Sequence, residues 1–359
     1  MIDRRQALKA AAALAGLAGS GRAAFAQAPS VISLSEQGGW FLAEVAVNGS
    51  GGYRFVLDTG STAYFISRRL VGELGLRAVE QRMVGTYAGR RREPVVAISR
   101  LKVGDVEVGG ARAIAWTPGR LEDHDGLLGY PLLYPRATIA LGVRQVTLGD
   151  PPRGLALTPV NAQVTRAQTV LMGGVDGAPG KFVFDTGSQV CTVSAGYLKR
   201  IEAGAAYAAS TKLTYRTQSG ASGVRAFRPP KIAFGGFEIP EPVIRIDQQD
   251  GREGVFQGGM DGLFGVNLMR PYTWVLDQAA GTLLVAPGEA RRAGYVGSGF
   301  NLERRDGVLR VAAVADDSPA SEAGVLPGQR VLNFAQDDGL HILELAGRRS
   351  VSLRPRALL

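Results

Sequence analysis

Asp58 and Asp185 each stand in the tetrapeptide Asp-Thr-Gly-Ser, at positions 58–61 and 185–188. Each follows a short apolar run, Phe-Val-Leu at 55–57 and Phe-Val-Phe at 182–184. A carboxylate at the end of a buried strand is costly to isolate. Two such groups from matched halves can meet across a pseudo-twofold axis, where they resist double ionisation and hold one proton jointly. One member then takes a proton from water while the other supplies one, and the apparent pKa values belong to the pair. Other hydrolytic side chains are scarce. The chain has two histidines, His124 and His341, and one cysteine, Cys191. A histidine-based triad or a His/Cys metal site has little to build on, so no metal and no cofactor is expected. No intramolecular disulfide can form. Cys191 lies in an apolar run just after the second tetrapeptide and reads as core rather than nucleophile.

The elements around the aspartates repeat as well. Residues 54–67 and 181–194, aligned on the aspartates, agree at seven of fourteen positions. Downstream, Asp-Gly-Leu-Leu-Gly-Tyr-Pro-Leu-Leu-Tyr-Pro (125–135) and Asp-Gly-Leu-Phe-Gly-Val-Asn-Leu-Met-Arg-Pro (261–271) agree at six of eleven. Two ordered motif pairs at similar offsets indicate an internal duplication of about 130 residues. The apolar runs predict buried strands, and Asp-Thr-Gly-Ser predicts a tight turn after each.

The 359 residues suffice for two or three domains. Abundant glycine, at 49, with short apolar runs favours a turn-rich β protein. Residues 1–26 have a basic start with Arg4-Arg5, an Ala/Leu stretch and Ala24-Phe25-Ala26 before Gln27, the layout of a twin-arginine-like export signal. The apolar stretch is short for a stable membrane span. A periplasmic or secreted location is therefore expected. The formal charge of +9 becomes +6 on removal of four basic residues and Asp3 with that segment. The arginine pairs are scattered without interleaved aromatics, so nucleic acid is not an expected partner.

These motifs resemble the pepsin-like and retroviral-type aspartic proteases, specifically an exported bacterial single-chain form. The resemblance rests on the doubled Asp-Thr-Gly and the later Leu127-Leu128-Gly129 and Leu263-Phe264-Gly265, and spans about residues 30–287. It implies Asp58 and Asp185 as the catalytic dyad. Thr59 and Thr186 would interlock beneath it, Gly60 and Gly187 would supply backbone N–H groups, and Ser61 and Ser188 would bond the outer carboxylate oxygens. It also implies a hairpin flap. One candidate is 84–91, where Gly85 and Gly89 flank Tyr87, a flap residue or an exposed hairpin tyrosine. Residues 217–223 hold the matching place in the second half. The implied reaction is peptide-bond hydrolysis in an extended polypeptide by a monomer. The alternatives are a catalytically silent peptide-binding periplasmic protein and an adaptor driven by the C-terminal module.

Asp-Pro-Pro-Arg-Gly (150–154) marks a seam between the halves, and residues 287–299 a second boundary. Residues 307–334, with Ser318-Pro319-Ala320 and Pro327-Gly328, resemble a PDZ module. In it Gly297-Ser298-Gly299-Phe300 would bind a peptide C-terminus. Too little chain follows Phe334 for a clear second helix, so a structural cap and a peptide binder both stand. The expected fold is all-β: two pseudo-twofold-related pepsin/retropepsin-like lobes plus a small, shortened PDZ-like domain. Its divisions are signal 1–26, first lobe 27–150, second lobe 151–290 and PDZ-like domain 291–359.

Overall fold

The computed structural model describes residues 29–357 except 38, 87–88, 118–123, 202–210, 218–219, 248–258, 289–295, 306, 316–317, 338 and 348–349. Residues 1–26, where an export signal is expected, and Tyr87 lie outside the described residues. Strands dominate, with a few short helices.

The same four-strand arrangement occurs twice. Strand Ser50–Asp58 runs parallel to Gly126–Gly129, which is antiparallel to Tyr64–Ser67, itself parallel to Val106–Trp116. Strand Ala178–Phe184 runs parallel to Gly262–Phe264, antiparallel in turn to Thr192–Ser194, parallel to Ile244–Asp247. Each set leads into a short helix begun by serine. Ser67 Oγ accepts from the Leu70 N–H before helix Arg68–Glu73, and Ser194 Oγ accepts from the Tyr197 N–H before helix Ala195–Arg200. Such caps satisfy N–H groups a short helix cannot satisfy itself. The helices bury Leu70, and Tyr197 with Leu198.

A six-strand layer crosses between the halves in the order 158–160, 282–287, 272–277, 136–140, 145–148, 30–37. Its central pair joins Arg136–Ala140 of the first half to Tyr272–Asp277 of the second, with Trp274 opposite Ile139. Trp274 is fully buried against Phe184 at 5.1 Å and Phe234 at 5.4 Å, so one continuous core underlies both halves. Arg136 Nε donates to Asp277 Oδ2 at 2.7 Å across the same junction. Burial works against ionisation of Asp277, but the Ala280 N–H and the Arg136 guanidinium outweigh it and hold the carboxyl below its ordinary value. A lowered carboxyl contributes stability above the unfolded-state pKa and loses it as pH falls. Arg136→Met should therefore cost about 2 kcal/mol at neutral pH, read by chemical denaturation, and less below about pH 4. A cost independent of pH would contradict this account.

The C-terminal unit has a core of its own, built from residues such as Leu302, Val311, Val331 and Leu343. Hairpin Phe300–Arg305/Val308–Val314 precedes helix Pro319–Glu322, and strands Val331–Asp337, Leu340–Leu345 and Val351–Leu353 form a second small sheet. Among the described residues no helix follows Glu322. Phe300, Phe334 and His341 stack edge to face with centroids 5.7–6.0 Å apart. Among the described residues no helix is long and apolar enough to cross a membrane.

Candidate active site

Asp58 ends strand Ser50–Asp58, and Asp185 follows strand Ala178–Phe184 directly. Both chains then turn identically: the Ser61 N–H donates to the Asp58 carbonyl and the Ser188 N–H to the Asp185 carbonyl, each at 3.2 Å. Downstream glycines make room. A Cβ on Gly129 would collide with the Ala63 carbonyl, and one on Gly265 would lie 2.7 Å from the Val190 carbonyl carbon. The Tyr130 and Val266 N–H groups then donate to the Ser61 and Ser188 carbonyls at 2.8 Å. The two-apolars-then-glycine motif thus holds each aspartate turn from below.

The turns from the two halves lock together. Thr59 Oγ1 donates to the Phe184 carbonyl and Thr186 Oγ1 to the Leu57 carbonyl, both at 2.7 Å. Each hydroxyl also accepts from the other threonine's N–H, at 3.0 and 2.9 Å. Above this lock the aspartates cross over the opposite glycines. A Cβ on Gly60 would lie 2.5 Å from the Asp185 carboxyl carbon, and one on Gly187 closer still to that of Asp58. Only glycine permits this approach. The two carboxyls are hydrogen-bonded to each other and nearly buried, Asp58 at 8% and Asp185 at 7% exposure. Burial pushes the Asp185 carboxyl well above the ordinary carboxylate range, and the charge of Asp58 and the hydrogen bond between them add to the rise; N–H groups of Gly187 and Gly60 oppose it. The pair therefore retains a proton to higher pH than a free carboxylate would.

The strands beside the dyad carry contrasting rows of buried side chains on the face that bears the aspartates. Side chains alternate along a strand, so Val56 shares the Asp58 face and Val183 the Asp185 face. Phe55, Leu57, Phe182 and Phe184 point instead into the common core. Across the first half, the row beside Val56 runs Leu127, Phe65, Ile114, Val95. Trp40 and Leu42 adjoin it. Across the second half, the row beside Val183 runs Leu263, Thr192, Arg245, Ala226. The first row is wholly apolar; the second carries a hydroxyl and a cation.

Some expected roles change. Ser61 Oγ donates its proton to the Ala63 carbonyl at 2.8 Å, and Ser188 Oγ to the Val190 carbonyl at 2.9 Å. A hydroxyl has one proton, so neither donates to a carboxylate; Ser61 reaches Asp58 Oδ1 through its N–H, at 3.0 Å. The Gly187 N–H donates to Asp185 Oδ1 at 2.8 Å, in the role expected of it. Gly85 lies near the end of strand Ala78–Thr86, which forms an antiparallel hairpin with Gly89–Val103. Val84 of that hairpin packs with Ala63 and Phe65, which roots it beside the Asp58 turn. Residues 211–217 and 220–227 form a matching hairpin in the second half. Cys191 is fully buried in the core, and burial pushes its thiol up to about 12, far from a nucleophile's range. Among the described residues, no cluster of three His, Cys, Asp or Glu side chains suits a metal.

Four supporting residues escaped the sequence reading. Asp125 Oδ2 accepts from the Arg54 N–H at 2.8 Å, and Asp261 Oδ2 from the Lys181 N–H at 2.9 Å, each at the root of an aspartate-bearing strand. Arg69 pairs with Asp125, and Arg200 with Asp261 at 2.8 Å. The recurrence of aspartate at the head of both Asp-Gly-Leu segments was the available signal.

Comparison with known proteins bears on the fold. Residues 43–132 match the family model described as aspartyl protease. No curated protein sequence matches the chain significantly. Among solved structures, the aspartic proteinase from Irpex lacteus is similar in fold, with a TM-score of 0.50 and 13% identity over 73% of this chain and 98% of that one. Residues 43–132 are thus similar to the aspartyl protease family, within an all-β body similar in fold to an aspartic proteinase.

Proposed function

We propose that the protein is an aspartic endopeptidase that hydrolyses peptide bonds in extended polypeptides, with water activated between Asp58 and Asp185. The observation that carries this reading is the hydrogen-bonded carboxyl pair, one member from each half, clamped over the Thr59–Thr186 lock. In the singly protonated pair, the ionised carboxylate takes a proton from water as its oxygen attacks the scissile carbonyl carbon. The protonated carboxyl donates to the carbonyl oxygen, giving a neutral gem-diol. The carboxyl that took the water proton then gives it to the leaving nitrogen while the other carboxylate takes a proton from a gem-diol hydroxyl; the C–N bond breaks, a carboxylic acid and an amine leave, and the pair again holds one proton. No covalent enzyme intermediate forms. The half-buried Trp40 and Phe65 suit a large apolar side chain, and the hairpin at 78–103 is the candidate closing element.

The remaining assignments follow. The protein is exported through residues 1–26, acts as a monomer because both halves lie in one chain, and carries a PDZ-like unit after the second lobe. In that unit Phe334 and His341 pack on Phe300, the residue that ends the candidate carboxylate loop, which favours a cap over an open peptide groove.

The test is incubation of the mature chain with an unbiased peptide mixture from pH 3 to 8, read by mass spectrometry. Cleavage should follow a bell-shaped profile with its upper limb above the ordinary carboxylate range, because burial raises Asp185. Bound but intact peptides at every pH would favour the silent-binder reading.

A further inference from the structure

On the reading that the dyad hydrolyses peptides, we propose that Arg91, on the inner face of the hairpin Ala78–Thr86/Gly89–Val103, receives an acidic side chain of the substrate. The enzyme would then select chains that carry an acidic residue near a large apolar one. Side chains directly opposite on paired strands share a face. Arg91 lies opposite Val84, Glu93 opposite Arg82, and Val95 opposite Glu80. Val95 is opposite Ile114, Ile114 opposite Phe65, and Phe65 opposite Leu127, which adjoins Val56. Arg91 therefore stands on the face that bears Asp58, next to a valine that clusters with Ala63 and Phe65 beside the Asp58 turn. Arg92 lies opposite the exposed Met83 on the reverse face. Strand alternation thus splits two consecutive arginines between the two faces.

Arg91 is open to solvent and only partly paired. Its side chain is 61% exposed, and its Nε lies 3.6 Å from Glu93 Oε1. Among the described residues it has no other hydrogen bond or ion pair. Glu93 is buried, and its second oxygen, Oε2, accepts from Arg68 Nη2 at 2.6 Å. One buried carboxylate thus serves two guanidiniums. On the same face Arg82 donates to Glu80 Oε1 at 2.8 Å, and Arg112 to Glu80 Oε2 at 3.1 Å. Four arginines share two glutamates there, which leaves two positive charges in excess. Of the four, Arg91 has the longest contact with its glutamate and the most exposed side chain. Its two Nη groups keep the fork geometry that pairs with a carboxylate, and the guanidinium stays charged at any working pH. Trp40 and Phe65, half-buried on this face, supply the apolar surface beside it.

The test uses degenerate peptides with a fixed Phe and, at one position within about three residues of it on either side, Glu or Gln. At pH 5.5 free glutamate is ionised. Binding is measured with the Asp58→Asn protein, and cleavage with the wild type. At one or more positions Glu should exceed Gln by about threefold to fivefold in both measurements, the scale of a solvent-accessible ion pair. Arg91→Gln should bring that ratio to about one, and Arg91→Lys should retain part of it. Arg92→Gln removes the same charge from the reverse face and should leave the ratio in place. Because Arg68 still pairs with Glu93, loss of Arg91 should leave the fold intact. Equal treatment of Glu and Gln by the wild type at every position, absence of binding included, overturns the proposal without recourse to a variant. So does a Glu preference that survives in Arg91→Gln, or one that Arg92→Gln lowers as far as Arg91→Gln does. A Glu preference in binding with no cleavage by the wild type would leave the Arg91 assignment standing and remove the hydrolytic reading. Cleavage without Glu preference would do the reverse.

Discussion

Asp185→Asn is expected to abolish peptide cleavage and, at neutral pH, to raise the melting temperature. The first half follows from the shared proton: an amide neither takes a proton from water nor holds the one the carbonyl needs. The loss should reach at least about a thousandfold in kcat, and Asp58→Asn should match it. The second half follows from the direction of the Asp185 shift. Burial raises its pKa in the folded protein, with Asp58 beside it adding to the effect. The folded state therefore binds more protons than the unfolded chain between the ordinary carboxylate value and the raised one. Stability is fully present below about pH 4 and falls as pH rises through the folded value. Asparagine carries no charge to bury. Its amide should keep the neighbour's hydrogen bond while removing the repulsion, a gain of a few degrees at pH 7.5 that vanishes at pH 3.5. Thermal melts at both values, beside cleavage assays, check both halves. A lower melting temperature at pH 7.5, or cleavage retained in both variants, would contradict the shared-proton account.

What could be read from the chain was whatever is local. Each aspartate comes with its own apolar strand and its own turn within a dozen residues, so the repeat, the strands and the facing of the two acids were all visible. The threonine lock was implied only by resemblance, because no local rule tells Thr59 to seek Phe184 across the fold. The role expected of Ser61 and Ser188 failed for a physical reason: a short hydroxyl beside a turn finds the carbonyl two residues on before it finds a carboxylate. The layer joining 136–140 to 272–277 was invisible, since antiparallel pairing at such separation leaves no mark in either segment. Arg245 was hidden likewise. Only the register across three strands shows that an arginine in an apolar run shares a face with Asp185.

Thr59→Val should be the most damaging substitution that leaves both acids in place. The hydroxyl of Thr59 donates to the Phe184 carbonyl and accepts from the Thr186 N–H, and all of these atoms are sealed from water. Valine keeps the shape and removes both bonds. An N–H and a carbonyl are then buried unsatisfied, at about 1–3 kcal/mol each. Unfolding should therefore show a loss of about 2–5 kcal/mol, confined to the variant lacking the hydroxyl; Thr59→Ser should restore most of it. The kinetic effect has a distinct signature. Phe184 directly precedes Asp185, so slack in this bond displaces one carboxyl against the other while the walls of the cleft stay where they were. The value of kcat should fall by about a hundredfold with KM little changed. The Thr59→Val/Thr186→Val pair decides whether the lock is one device or two. Each hydroxyl serves the other's N–H, so the first loss already loosens the partner, and the double variant should cost less than the sum of the singles by about 1 kcal/mol or more. Strict additivity would mean that each threonine only fastens its own strand, and that the dyad is aligned by the crossing glycines alone.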